Sequence, residues 1–184
     1  MRIFNLPNTI TILRISVLPA LFFLLCDPGP TGSLVIALLF IAAAFTDLLD
    51  GYVARKYGIV TTVGKLLDPI ADKLIVNTAM ILMIPLGRIP VWIVAVTIIR
   101  DFAVDGIRSI ASSEGTVIQA SRWGKQKTLC QIFAISALII HYQFIGADAH
   151  LVGTVILYIA LTLTIYSAID YFGNFFRGRA SDGH

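Results

Sequence analysis

The stretch FTDLLDGYVARKYGIVTTVGKLLDPIADKL, residues 45–74, carries four aspartates, Asp47, Asp50, Asp68 and Asp72. They stand in a chain that is otherwise strongly apolar. Of its 184 residues 57% are hydrophobic and only 14% are charged, and the mean hydropathy is +0.85. A soluble globular domain is about 25% charged. The deficit marks a membrane protein before any motif is considered. Carboxylates are costly inside a membrane segment and usually mark function there. The stretch reads as the end of one apolar helix, a short turn, and the start of the next.

The rest of the chain repeats that pattern. A membrane-spanning helix needs about 20 mostly apolar residues. Six stretches qualify: 7–26, 32–56, 64–86, 89–112, 124–144 and 149–174. They are separated by CDPGPTG, KYGIVTT, LGRIP, SSEGTVIQASRWG and HYQFIGADAH, rich in the Gly, Pro, Ser and polar residues of turns. No strand-like alternation of an outer-membrane barrel is present. The expected fold is all-α: one integral membrane domain over residues 1–184, a bundle of six transmembrane helices without linker or repeat. The first stretch is expected to be a retained helix. Only Arg2 precedes it, Arg14 lies within it, and CDPGP offers no small-x-small cleavage site.

The basic residues alternate from end to end of these stretches. Arg2, then Arg55, Lys56 and Lys65, then Arg108, Arg122, Lys125 and Lys127, then Arg177 and Arg179 all fall on one side, and only Arg88 falls on the other. The positive-inside bias predicts cytoplasmic termini and cytoplasmic second and fourth loops. The net charge of +3 then faces anionic lipid headgroups and implies no nucleic-acid partner. Cys26 and Cys130 read as small packing residues, far apart in sequence and on different helices. Trp92 and Trp123 suit interfacial belts. His141 and His150 lie on the side opposite the aspartates.

Asp47 and Asp50 are three apart, and Asp68 and Asp72 four apart, so each pair shares a helix face. Counted from Val60, Asp47 lies 13 residues away and Asp72 12, with Asp50 10 away and Asp68 8 away. At about 1.5 Å per residue, the outer two come to one depth and the inner two to another. Ion pairing with Arg55, Lys65 and Lys73 is the plainer account, but four clustered carboxylates repel one another unless a cation lies between them. Hard oxygen donors suit Mg²⁺, Mn²⁺ or Ca²⁺. Gly51 and Ala54 share the face of the first pair, and Gly64 that of the second. Small residues permit close helix approach. Beside a metal cluster they equally let a nucleotide lie against backbone, with the Arg55 guanidinium on its phosphates.

The stretch reads D-x2-D-G-x2-A-R-x8-G-x3-D-x3-D, through Asp47, Asp50, Gly51, Ala54, Arg55, Gly64, Asp68 and Asp72. In this it resembles the CDP-alcohol phosphotransferase family, with every signature position filled. LPNTITILRI, with Asn8, Thr11 and Arg14, IIRDFAVDGIRSIASSEG and WGKQKT are similar to bacterial members that take glycerol 3-phosphate as acceptor. The resemblance implies a six-helix homodimer in a bacterial cytoplasmic membrane, its active site facing the cytoplasm. The implied reaction joins CDP-diacylglycerol and glycerol 3-phosphate, releases CMP, and uses a pair of Mg²⁺ or Mn²⁺ ions. Carried over by residue, Asp72 is the base and also touches metal. Asp47, Asp50 and Asp68 are metal ligands. Asn8, Thr11, Gly51, Ala54, Arg55 and Gly64 face the nucleotide and diphosphate.

An acceptor that carries a phosphate needs cations of its own. Arg108, Lys125 and Lys127 are the candidates, each of which also serves as a positive-inside anchor. Arg100 is adjacent to Asp101 and suits an ion pair as well as it suits a ligand. Two rivals to this assignment differ in kind. A sister enzyme would use inositol phosphate, serine or phosphatidylglycerol as acceptor. A divalent-cation transporter would also need intramembrane carboxylates, but it would show paired half-chain repeats around a midplane site. The last three stretches hold no second acidic cluster, and transport leaves Gly51, Arg55 and Gly64 unexplained.

Overall fold

Five helices and one short hairpin make up the described part of the computed structural model. It covers residues 29–57, 62–113, 122–144 and 146–182, with the backbone alone for 45–57, 62–72, 112, 122–123, 125 and 176–182. The helices are α1 (Pro30–Tyr57), α2 (Thr62–Met83), α3 (Val91–Ser113), α4 (Arg122–Ile140) and α5 (Ala149–Asp182). They correspond to the second to sixth expected spans. The first span, 7–26, with Asn8, Thr11 and Arg14, lies outside the described residues, as do Cys26 and the loops 58–61 and 114–121.

The helix ends follow local chemistry. Pro30 occupies the first position of α1, where its missing N–H is no loss. The turn after α2 closes through Gly87, at φ +68, whose N–H donates to the Ile84 carbonyl at 2.9 Å. The Asp148 carboxylate caps α5, accepting from the N–H groups of His150 at 2.9 Å and Leu151 at 3.2 Å. Between α4 and α5 the chain makes a hairpin, β1 (Gln143–Phe144) against β2 (Ala147–Asp148), antiparallel with Gln143 opposite Asp148. Gly146 turns it at φ +78. This feature was not expected of an all-α chain, but it is confined to the loop. α5 also differs from its expected span, continuing as helix to Asp182, so Arg177 and Arg179 extend that helix.

α4 is the centre of the packing. Its most extensive partner is α5; α1 lies across it, α2 also touches it, and α3 leans on α5. Ile36 and Phe40 of α1, Met80 and Met83 of α2, Ile93 of α3, and Ile135, Leu138 and Ile139 of α4 form one buried cluster. α5 approaches α4 closely at Gly153. A Cβ added there would stand 2.8 Å from the Leu138 side chain and 3.1 Å from the Ala134 carbonyl oxygen. Small residues at a helix interface allow such backbone approach.

The outward faces are apolar: Phe102 is 72% exposed, Ile99 67% and Ile169 67%. A soluble surface rarely gathers so much apolar area, whereas hydrocarbon solvates it. α5 is apolar over Ala149–Phe175, 27 residues, enough by length and composition to cross a membrane. Shorter apolar runs cover Pro30–Ala44, Lys73–Met83 and Gln126–Ile140.

Arg88, the one basic residue expected on the far side, is 8% exposed. Its guanidinium donates to the carbonyls of Leu138 (3.2 Å) and Ile139 (2.8 Å). These belong to the last turn of α4, whose carbonyls lack intrahelical partners. Arg88 is therefore a buried helix cap and does not meet headgroups. Nearby, the Nδ1 atoms of His141 and His150 lie 3.1 Å apart, and the Tyr142 hydroxyl donates to the Pro30 carbonyl at 2.6 Å.

Candidate active site

The signature residues fall where the two antiparallel helix ends require. Asp47, Asp50, Gly51, Ala54 and Arg55 lie in the last part of α1, and Gly64, Asp68 and Asp72 in the first part of α2. Both stretches are continuous helix, so the spacings of three and four do place each pair on one face. α1 and α2 touch. The side chains of these eight residues lie outside the described ones, as does that of Lys125. Among the described residues no three His, Cys, Asp or Glu side chains gather into a metal-binding group.

Beside these helix ends the second half of α3 carries a polar stripe that binds three neighbouring helices. Asp101, 5% exposed, takes an ion pair from Lys127 of α4, itself 4% exposed. It also takes one from Arg100, with Nη1 at 3.1 Å. Arg100 reaches α5 as well, donating through Nε to the Thr164 carbonyl at 3.1 Å and through Nη2 to the Ser167 hydroxyl. Thr164 and Ser167 are buried. An isolated buried ion would be very costly, and pairing with hydrogen bonding offsets that cost. Arg100 and Lys127, both expected near an acceptor phosphate, are thus committed to Asp101 and tie α3, α4 and α5 together.

One turn along α3, Asp105 pairs with Lys73 of α2. Lys73 directly follows Asp72 in the chain. Arg108 stands 3.9 Å from the other oxygen of Asp105, with its side chain 48% exposed. The Arg108 guanidinium carbon lies 5.8 Å from the centre of the Tyr171 ring of α5, within cation–π range. Because Lys73 meets Asp105, the start of α2 and the end of α3 lie at one end of the bundle. Arg108 is therefore at the same end as Asp68 and Asp72.

Some of these residues escaped sequence reasoning. Lys73 had a role only as a partner of the signature aspartates, and Tyr171, Ser167 and Thr164 had none. The last three recur at helical spacing in an otherwise apolar helix, and that recurrence is a signal for a polar face turned inward.

A family profile described as CDP-alcohol phosphatidyltransferase matches residues 4–166. The chain is 39% identical over 181 residues to the CDP-diacylglycerol–glycerol-3-phosphate 3-phosphatidyltransferase of Bacillus subtilis (strain 168), covering 92% of this chain and 94% of that protein. It is 39% identical over 171 residues to the protein of that name from Rickettsia bellii (strain RML369-C), covering 91% and 93%. A probable phosphatidylglycerophosphate synthase of Mycobacterium tuberculosis (strain ATCC 25618 / H37Rv) is 34% identical over 173 residues, covering 92% and 81%. With a profile match over most of its length and relatives aligned nearly end to end, the chain belongs to the CDP-alcohol phosphatidyltransferase family.

Proposed function

We propose that the chain transfers the phosphatidyl group of CDP-diacylglycerol to glycerol 3-phosphate, giving phosphatidylglycerophosphate and CMP in anionic phospholipid synthesis. The observation that carries this assignment is the complete eight-residue signature, set on two touching helices, in a chain whose relatives bear the name of that reaction.

Members of the family use divalent metal ions. The donor set fits such an ion: two carboxylates three apart on α1 and two four apart on α2 supply the hard oxygens that Mg²⁺ or Mn²⁺ prefers. We assign Asp47, Asp50, Asp68 and Asp72 as ligands of a pair of these ions. When bound, they neutralise the diphosphate and the leaving CMP. Arg55 contacts the diphosphate, Gly51, Ala54 and Gly64 leave room for the nucleotide against backbone, and Asn8 and Thr11 contact it from the first span. Asp72 accepts the proton of the attacking hydroxyl as its oxygen bonds to the lipid-side phosphorus. Arg108 and Lys125 hold the acceptor phosphate. Arg100 and Lys127 act from behind, through Asp101.

The remaining proposals concern the setting. Residues 1–184 form one domain of six membrane spans, with both termini cytoplasmic, in a homodimer in the bacterial cytoplasmic membrane. A site at the cytoplasmic end serves both substrates, since glycerol 3-phosphate is water-soluble while the acyl chains stay in lipid. The test is an acceptor panel. Purified protein receives CDP-diacylglycerol with glycerol 3-phosphate, inositol phosphate, serine or phosphatidylglycerol, and the lipid product is identified. Phosphatidylglycerophosphate from glycerol 3-phosphate alone is expected. A product from one of the other acceptors instead would overturn the assignment.

A further inference from the structure

We propose that Asp105 and Tyr171 are positioning residues for the acceptor: together they hold the Arg108 guanidinium, and the Tyr171 hydroxyl completes the donor set around a phosphate monoester. This deepens the function proposed above and rests on it.

Asp105 stands between cations of two helices. One oxygen pairs with Lys73 of α2, and the other lies 3.9 Å from Nη1 of Arg108 on its own helix. That second separation is too long for a hydrogen bond. Asp105 thus steadies Arg108 by charge without consuming its donors. Tyr171 supports the same guanidinium from α5, its ring centre 5.8 Å away. Held from two sides and 48% exposed, the fork of Arg108 is open to a planar pair of oxygens.

The second observation is independent of charge. Tyr171 is 4% exposed, and its hydroxyl has no hydrogen-bond partner among the described residues. Buried tyrosine hydroxyls normally find one. This hydroxyl, on the ring that the Arg108 guanidinium faces, lacks an oxygen acceptor among the described residues, and a phosphate monoester held by Arg108 offers several. The Asp105–Lys73 pair adds a spatial link. It ties Arg108 to the residue that follows Asp72, and so couples the place of the phosphate to the helix that carries the base.

The shared chemistry of this subsite, a phosphate, is offered by the soluble acceptor and by the lipid donor, and kinetics separate the two. Tyr171→Phe, Asp105→Asn and Asp105→Glu are made in the full chain and assayed in detergent micelles with each substrate varied. Tyr171→Phe should raise KM for glycerol 3-phosphate about tenfold, the effect of losing a hydrogen bond to a charged group, and Asp105→Asn should also raise it, by loosening the Arg108 guanidinium. KM for CDP-diacylglycerol should stay unchanged, and Asp105→Glu should recover much of the loss. Thermal midpoints are read alongside, with and without glycerol 3-phosphate. The acceptor should raise the wild-type midpoint more than that of either variant. An unchanged KM for glycerol 3-phosphate in Tyr171→Phe, which keeps the ring, overturns the proposal. So does an equal rise in both KM values. If glycerol 3-phosphate stabilises the wild type and less so the variants, yet no CMP is released, the subsite stands and the proposed reaction fails.

Discussion

Lys127 shows what a charged residue costs in this molecule. Its side chain is 5% exposed and its ammonium meets Asp101, which also serves Arg100. Removing one partner of an isolated buried pair costs about 3–5 kcal/mol, but here Arg100 still pairs with Asp101 once Lys127 is lost. Lys127→Ala should therefore lower the unfolding free energy in micelles by about 2 kcal/mol, below that range. Lys127→Met combined with Asp101→Asn should recover only part of that, because Arg100 loses its carboxylate too. Equilibrium unfolding of the three proteins checks this; an unaltered Lys127→Ala would mean the pair is not buried in the membrane. The signature aspartates predict the opposite profile. Asp47→Asn, Asp50→Asn or Asp68→Asn should each abolish turnover while leaving a folded, inserted protein, as seen by comparing activity with thermal midpoints. The two sets also differ in legibility. The aspartate pairs are visible in sequence because spacings of three and four are local facts about one helix. The Arg100–Asp101 pair was visible because the residues are adjacent. The partners of Lys73 and Lys127 depend on which helices cross and at what level, and no local spacing encodes that.

Among the elements, the α4–α5 pairing is the most extensive, and Gly153 is a point of close approach within it. Gly153→Val would push a branched side chain against Leu138 and the Ala134 carbonyl, which lie within 3.1 Å of an added Cβ. Overpacking of this kind costs about 1–3 kcal/mol, so the thermal midpoint should fall clearly below that of wild type. A midpoint equal to wild type would mean α5 sits farther from α4. Most helix boundaries were readable within a few residues, since Pro30, Gly87 and Pro90 punctuate them. The hairpin at 143–148 was not, because strands of two residues leave no periodic pattern. The continuation of α5 to Asp182 was missed for another reason. Its last turns are polar, so the apolar run ends before the helix does.

For the whole molecule, charge and hydropathy point the same way. Of the cations expected on the cytoplasmic side, Arg108 lies at the end of the bundle where α2 begins, whereas Arg88, the exception, caps α4 from within. The proposed topology is testable with single cysteines after Cys26 and Cys130 are replaced. Gln143→Cys, in the hairpin, should react with an impermeant reagent from outside the cell, and Gly58→Cys only after the membrane is opened. The converse pattern would invert the topology. The most direct test of the central claim is release of CMP from CDP-diacylglycerol by the purified protein, with glycerol 3-phosphate and Mg²⁺ each omitted in turn. The account predicts release only when both are present, matched one for one by phosphatidylglycerophosphate. CMP released at the same rate without glycerol 3-phosphate, or with every divalent ion chelated, would contradict it.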